Sequence, residues 1–509
     1  MIDPIKVMNV PEIGIFVVAH TNVGKTTLIR TLLGQDVGEI VDWPDVTKAL
    51  NSYDLVVDQN FGALRLWDTP GFGDSFRLAK RLRRKHRWIA WVVREIWDRF
   101  FNKKLWKGQR LALDLRARAS VILYPVNLQE RPVDAVYVAP ELEVLAWVGK
   151  PVLAILNQGG GQYSQQPESQ RAEEWTGHLS NFQVIRHVST LDAYTRCWLQ
   201  ELNLFKEIGQ VLPDKERDLY LELVTTLGQA YAKRFDDSVT AITDYLFHLA
   251  NDKVELDARW FEGMKDIWDV LRKTIPWGRS KDMTPFELAM QGLAQRYAES
   301  TKKVTEELIH INRLNVEAAT KILANAEMKP ETDRPWDGGS STIFGGVISG
   351  VLTGLGADLI TGGLSLGTGA LVGGALGAMS AAALAKGYNV YTKKNKKVVG
   401  WSADALTEAF GKSVMLYLSV AHFGRGQGPW RRKDEPKNWS STLEEVLMRD
   451  RERLRDLWRN VGAGAGSLHE KVGCEAEVRH LLRRMLLRFY PESGAALPVE
   501  PARNAASTM

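Results

Sequence analysis

A glycine, a lysine and two threonines in succession, Gly24-Lys25-Thr26-Thr27, form a set suited to holding phosphate. They close the stretch Ala19-His20-Thr21-Asn22-Val23-Gly24-Lys25-Thr26, which joins an apolar, β-branched run (Ile13 to Val18) to a helical pattern (Thr26 to Leu33) ended by Gly34. Phosphate binding needs inward-turned backbone N–H groups, a helix N-terminus, a cation and a hydroxyl for a divalent metal. Gly24 permits close backbone approach, Lys25 is the cation for the β- and γ-phosphates, and Thr26 offers the hydroxyl. The loop departs from the common pattern at its first glycine, where Ala19 stands. A second set is Asp68-Thr69-Pro70-Gly71, with Thr47 between the two. Its carboxylate can hold a water of Mg²⁺, and the Gly71 N–H can reach a γ-phosphate.

Strand and turn signals position these groups. Leu55 to Val57, Ala63 to Trp67, Val121 to Val126 and Val152 to Leu156 are short apolar runs, as buried strands are. Strands alternating with helices predict parallel pairing in an α/β domain over about 1–200. Over 205–330 helical spacing takes over, with Leu219, Leu223, Leu227, Tyr231 and Phe235 forming one stripe at i+4. Residues 331–342 read as a polar linker and 343–385 as a glycine-rich apolar segment. Helical pattern resumes over 400–490, where Ser441-Thr442-Leu443-Glu444 fits a capping box. The region after 200 is therefore expected to be all-α, and 491–509 to be a frayed tail.

At 509 residues the chain exceeds one hydrophobic core, and 45% hydrophobic with 25% charged residues excludes wholesale disorder. The net charge of +5 is unevenly spread: residues 76–118 hold fifteen Lys/Arg and three Asp/Glu, so the remainder is acidic. Two cysteines, Cys197 and Cys474, exclude a disulfide framework and fit a reducing cytosol. Met1 to Val10 lacks the marks of a signal peptide. Nine histidines are scattered without zinc-type spacing, and His20 reads as a surface histidine of the phosphate loop or a phosphate contact.

Asn22-Val23-Gly24-Lys25-Thr26, Pro44-Asp45-Val46-Thr47 and Asp68-Thr69-Pro70-Gly71 resemble the first three motifs of the bacterial Era/TrmE-like GTPases, over roughly residues 10–200. The resemblance implies a Ras-like, doubly wound P-loop domain that binds GTP and GDP and hydrolyses GTP. It implies Mg²⁺ held through Thr26, Thr47 and Asp68, with Thr47 sensing the γ-phosphate. The catalytic set is then Lys25, Thr47 and Gly71. The nucleotide-binding set is Asn22, Val23, Gly24, Lys25, Thr26 and Thr27, with Asn157, Gln158 and Ser189 toward the base. In the TrmE-like branch the asparagine matching Asn22 helps coordinate K⁺; simple loop-turn chemistry is its other reading. The remainder resembles an uncharacterised helical extension that accompanies such domains.

Two departures bear on activity. The family's Asn-Lys-x-Asp motif is here Asn157-Gln158-Gly159-Gly160, without the aspartate that accepts from guanine, so GTP stays first choice beside ATP or relaxed base selectivity. Phe72 follows Gly71 where Ras-type enzymes carry a water-orienting glutamine, so intrinsic turnover should be slow.

Two further segments suggest partners. In 76–118 a basic run from Arg77 to Arg87 precedes Trp88, Trp91, Trp97, Phe100 and Phe101 at helical intervals. This suits an anionic membrane surface, RNA or the ribosome, or packing on the protein's own helical region. Within 343–385 Asp358 is the single charged residue, and Gly346, Gly350 and Gly354, then Gly369, Gly373 and Gly377, form two small-residue stripes. Two helices of about 18–22 residues would make a hairpin of bilayer length, or one buried in a soluble core. The leading expectation is a cytoplasmic GTPase switch whose helical region associates with the inner face of the cytoplasmic membrane. The alternatives are an Era-like RNA- or ribosome-binding GTPase and a weakly hydrolysing nucleotide-binding scaffold, and a nucleotide-dependent homodimer is a further partner state.

Overall fold

The computed structural model describes residues 11–20, 23–33, 50–58, 61–83, 103–157, 168–191, 197–257, 285–313, 388–393, 396–422, 438–463 and 467–497. The expectations for Asn22, Thr47, Gln158, the centre of the basic insert (84–102), the glycine-rich segment 343–385 and the tail 498–509 lie outside these residues. Two compact units divide the chain, one running through Ala232 and the other beginning at Lys233.

The first unit is built on six strands: β1 (Glu12–Val17), β2 (Asn51–Asp58), β3 (Gly62–Asp68), β4 (Val121–Asn127), β5 (Val152–Asn157) and β6 (Ile185–Thr190), in the order β2-β3-β1-β4-β5-β6. Only β2 runs antiparallel, against β3; β3, β1, β4, β5 and β6 pair in parallel. The helices are α1 (Lys25–Leu33), α2 (Ser75–Arg83), α3 (Lys103–Arg118), α4 (Val138–Val148), α5 (Glu168–Leu179) and α6 (Trp198–Val211). This is the α/β fold with a mostly parallel sheet that the alternation of elements predicts. Parallel strands covered on both faces are apolar throughout, and all six residues of Val152–Asn157 are buried. Phe16, Ile122, Tyr124, Val126, Ala154 and Leu156 meet Leu78, Leu115, Leu142, Leu145, Trp175 and Leu179 in one core. Their intervening neighbours Ile15, Val17, Leu123, Leu153 and Ile155 are equally buried and point to the opposite face.

The described ends of the basic insert, α2 and α3, are amphipathic. Leu78, Ala79, Leu105, Leu111 and Leu115 enter the domain's own core, whereas Phe76, Arg77 and Lys80 stay exposed.

The second unit is mainly helical. The helix α7 (Asp214–Asn251) contributes to both units, and its predicted stripe is observed: Leu223, Leu227, Tyr231 and Phe235 are buried and Leu219 half-buried. With it come α8 (Pro285–Ile311), α9 (Ala403–His422), α10 (Asn438–Arg449), α11 (Arg451–Ala463) and α12 (Leu468–Phe489). Arg479 to Asp236 and Lys471 to Asp244 tie α12 to α7, and Arg296 grips Asp252 through two bonds of 2.9 and 3.0 Å. Beyond the helices a small antiparallel sheet departs from the all-α expectation: β7 (Lys253–Asp257), β8 (Tyr388–Lys393) and β9 (Lys396–Trp401), in the order β7-β9-β8.

Two local expectations are corrected. The helix carrying Ser441 starts earlier, at Asn438, because this buries Trp439 against Phe489 at 6.1 Å between ring centres; the capping box stands instead at Ser467 and Glu470 of α12. Residues Pro491–Ala496 form a 3₁₀ turn with Ser493 and Leu497 buried, so the chain is packed through Leu497 rather than frayed from Pro491. Among the described residues no helix is long and apolar enough to cross a membrane.

One half-buried pair allows a stability prediction. Glu408 and Lys412, one turn apart on α9, meet at 2.7 Å. Burial pushes the Glu408 carboxyl up and the Lys412 ammonium down, each partly offset by the other's charge. A raised carboxyl adds stability only at low pH, and it is lost as pH rises through its folded value. A lowered amine adds stability only at high pH, and it is lost as pH falls through its folded value. Burial thus works against the charged form of both groups. The Glu408→Leu/Lys412→Met double variant should therefore match or exceed the parent's stability, by up to about 2 kcal/mol, while each single variant should unfold more readily. Thermal unfolding at pH 7 makes the comparison.

Candidate nucleotide site

At the end of β1 the chain turns through Val23 into α1. Gly24 has φ +84°, a left-handed conformation that glycine adopts without strain, and its carbonyl accepts the first helical bond from Leu28 N at 2.9 Å. Parallel pairing sets Val17 beside Asp68, so the ends of β1 and β3 reach the same edge of the sheet. The Thr69 hydroxyl donates to the Val17 carbonyl at 2.8 Å and fastens the chain after Asp68 to β1. A Cβ added to Gly71 would stand 3.3 Å from the Ala19 carbonyl, so the two loops lie in close approach.

Across this junction Lys25 Nζ forms an ion pair with Asp68 Oδ1, both side chains largely buried. A lysine and a carboxylate this close form the charge pair that a phosphate and a cation would divide between them on entry. Asn157 is fully buried at the end of β5 and donates from Nδ2 to the Val23 carbonyl at 2.9 Å. It therefore anchors the phosphate loop from the end of β5. The structure thus brings Val23, Gly24, Lys25, Thr26, Thr27, Asp68, Gly71 and Asn157 to one edge of the sheet. Ser189 is the next-to-last residue of β6, buried and paired with Ile155. The Phe72 ring is 1% exposed and belongs to the main core.

His20 is partly exposed, as a surface histidine of the loop is, and it stacks on Tyr137 with ring centres 3.9 Å apart and 13° between planes. Its Nδ1 donates to Glu141 Oε1 at 3.0 Å. Tyr124 donates to Glu141 Oε2 at 2.8 Å and Tyr137 to Glu130 Oε2 at 2.8 Å. Burial first, and then the adjoining carboxylates, raise both phenols, so they remain donors at neutral pH. No local signal announces this cluster, because its members are 121 and 17 positions apart in sequence.

A six-stranded, mostly parallel sheet with a lysine-bearing loop at a helix N-terminus and an aspartate on the neighbouring strand defines the class of P-loop GTPase domains. Residues 14–158 match the family described as "50S ribosome-binding GTPase". Residues 179–485, more than half of the protein, match the family described as "Domain of unknown function (DUF3482)", and the chain belongs to that family. Among solved structures it is similar to Era in complex with MgGDPNP and nucleotides 1506–1542 of 16S ribosomal RNA, at 17% identity over 40% of this chain and 58% of that one, TM-score 0.30. It is also similar to an Aquifex aeolicus Era variant bound to GDP and AlF₄⁻, at 18% identity over 40% and 57%, TM-score 0.28. The chain thus spans less than two thirds of these structures. No curated protein matches.

Proposed function

We propose that the protein is a GTP-binding switch that hydrolyses GTP slowly to GDP and phosphate, its nucleotide state governing the helical unit. The observation that carries this reading is the Lys25–Asp68 pair, formed between a loop at a helix N-terminus and the end of the adjacent parallel strand. In this reading Lys25 binds the β- and γ-phosphates, the Gly71 N–H meets the γ-phosphate, and a water displaces GDP from it. Thr26 and Asp68, with Thr47, would hold Mg²⁺; a hydroxyl, one carboxylate, phosphates and waters are donors that this ion accepts. Bound Mg²⁺ would supply neutralisation of the charge on the β- and γ-phosphate oxygens. Asn22 would help hold K⁺.

Equilibrium binding of GTP, GDP and ATP tests the reading. GTP and GDP should bind and ATP bind more weakly; equal affinity for ATP would make the site a general nucleotide site, and no binding would end the proposal. Turnover should be slow in Na⁺ and rise in K⁺.

An Era-like RNA- or ribosome-binding role is the second reading. It is favoured by the exposed Phe76, Arg77 and Lys80 of α2, directly after the γ-phosphate loop. Nuclease-sensitive cosedimentation with ribosomes would support it. Flotation with anionic liposomes, lost on deleting 343–385, would support a membrane output.

A further inference from the structure

We propose that His20 is a positioning residue: clamped by Tyr137 and Glu141, it holds the phosphate loop in the conformation that receives the nucleotide. The inference rests on the nucleotide reading of that loop and adds to it a second anchor besides Asn157.

The geometry restrains the imidazole in two directions. Its face lies on Tyr137 at 3.9 Å, nearly parallel, and its edge bonds Glu141 at 3.0 Å. Both partners are themselves fixed. Glu141 is buried, with its other oxygen bonded to Tyr124 of β4 at 2.8 Å. Tyr137 is bonded to Glu130, whose carbonyl accepts from the fully buried Trp175 of α5 at 2.8 Å. A loop residue is thereby bound to Glu141 of α4, through it to Tyr124 of β4, and through Tyr137 and Glu130 to α5, inside a single unit. A carboxylate in a buried site is stable only while its donors stay in place, so Glu141 favours the loop conformation that presents His20. Asn157 meanwhile holds the Val23 carbonyl three residues further on. Both anchors lie just ahead of Gly24 and Lys25 in the chain. Contacts already made before the nucleotide arrives lower the cost of receiving it. His20 thus acts through the loop and needs no phosphate contact of its own.

The test measures GTP and GDP affinity per folded molecule, with unfolding followed separately without nucleotide. His20→Ala should weaken both nucleotides at least about tenfold. His20→Gln, whose amide can donate to Glu141, should recover most of the loss. In a Glu141→Gln background the same alanine change should cost less than about threefold, because linked residues act non-additively. A fold-only role would lower the unfolding temperature and leave affinity per folded molecule unchanged, which would overturn the proposal. So would a loss below about twofold for His20→Ala while Lys25→Ala still blocks binding. Were Lys25→Ala itself to bind normally, the nucleotide reading would fall and the clamp with it.

Discussion

Lys25→Ala is expected to lower affinity for GTP and GDP by at least about tenfold, or about 1.4 kcal/mol, and also to destabilise the nucleotide-free protein. The second effect follows from the pairing. Asp68 is buried, and without Lys25 its carboxylate keeps the desolvation cost and loses the compensating cation. Breaking one side of such a pair costs about 3 kcal/mol. Asp68→Asn added to Lys25→Ala should restore most of that stability, since an amide carries no charge, and should leave binding as poor as before. Urea unfolding without nucleotide and titration with a fluorescent nucleotide separate the effects. Normal affinity in the folded Lys25→Ala protein would remove the phosphate-loop assignment.

The second large effect concerns Phe72. Its position after Gly71 invites the thought that glutamine there would restore a water-orienting group. The ring is instead part of the core of the first unit, and its carbonyl stands 2.7 Å from where a Cβ on Gly108 would sit. Phe72→Ala should cost about 3–5 kcal/mol through the cavity it leaves. Phe72→Gln should be at least as damaging, because it also buries an amide. Neither should hydrolyse GTP faster per folded molecule. Single-turnover hydrolysis, with the folded fraction measured by denaturant titration, checks both; acceleration in Phe72→Gln would mean that position 72 can face the reacting phosphate.

The first unit was legible because its information is local. A β-branched run, a loop with glycine and lysine, and a helical pattern lie within Ile13 to Leu33, and Asp68 ends an apolar run of its own. The contacts that finish the site are not local. Asn157 reaches Val23 across 134 positions and His20 reaches Glu141 across 121, and residue type predicts neither. The small sheet was missed because Lys253-Val-Glu-Leu-Asp257 offers two apolar residues directly after a 38-residue helix. The strand that pairs with it comes far later in the chain. At Ser441 the local capping signal was real, but burial of Trp439 outweighed it, an instance of tertiary packing overriding a terminus preference of about 1 kcal/mol.

The order β7-β9-β8 places the last strand in sequence at the centre of the small sheet. Synthesis therefore delivers β7 first and leaves it without a partner while roughly 140 residues follow, an interval of roughly 7–28 s at ribosomal speeds of about 5–20 residues per second. β8 does not relieve it, because among the described residues both outer strands pair only with β9. A nascent chain arrested before Lys396 would expose two unpaired strand edges, and one released after Trp401 would close both at once. The glycine-rich segment lies within that interval, so the sheet closes only after the most apolar stretch of the chain has left the ribosome.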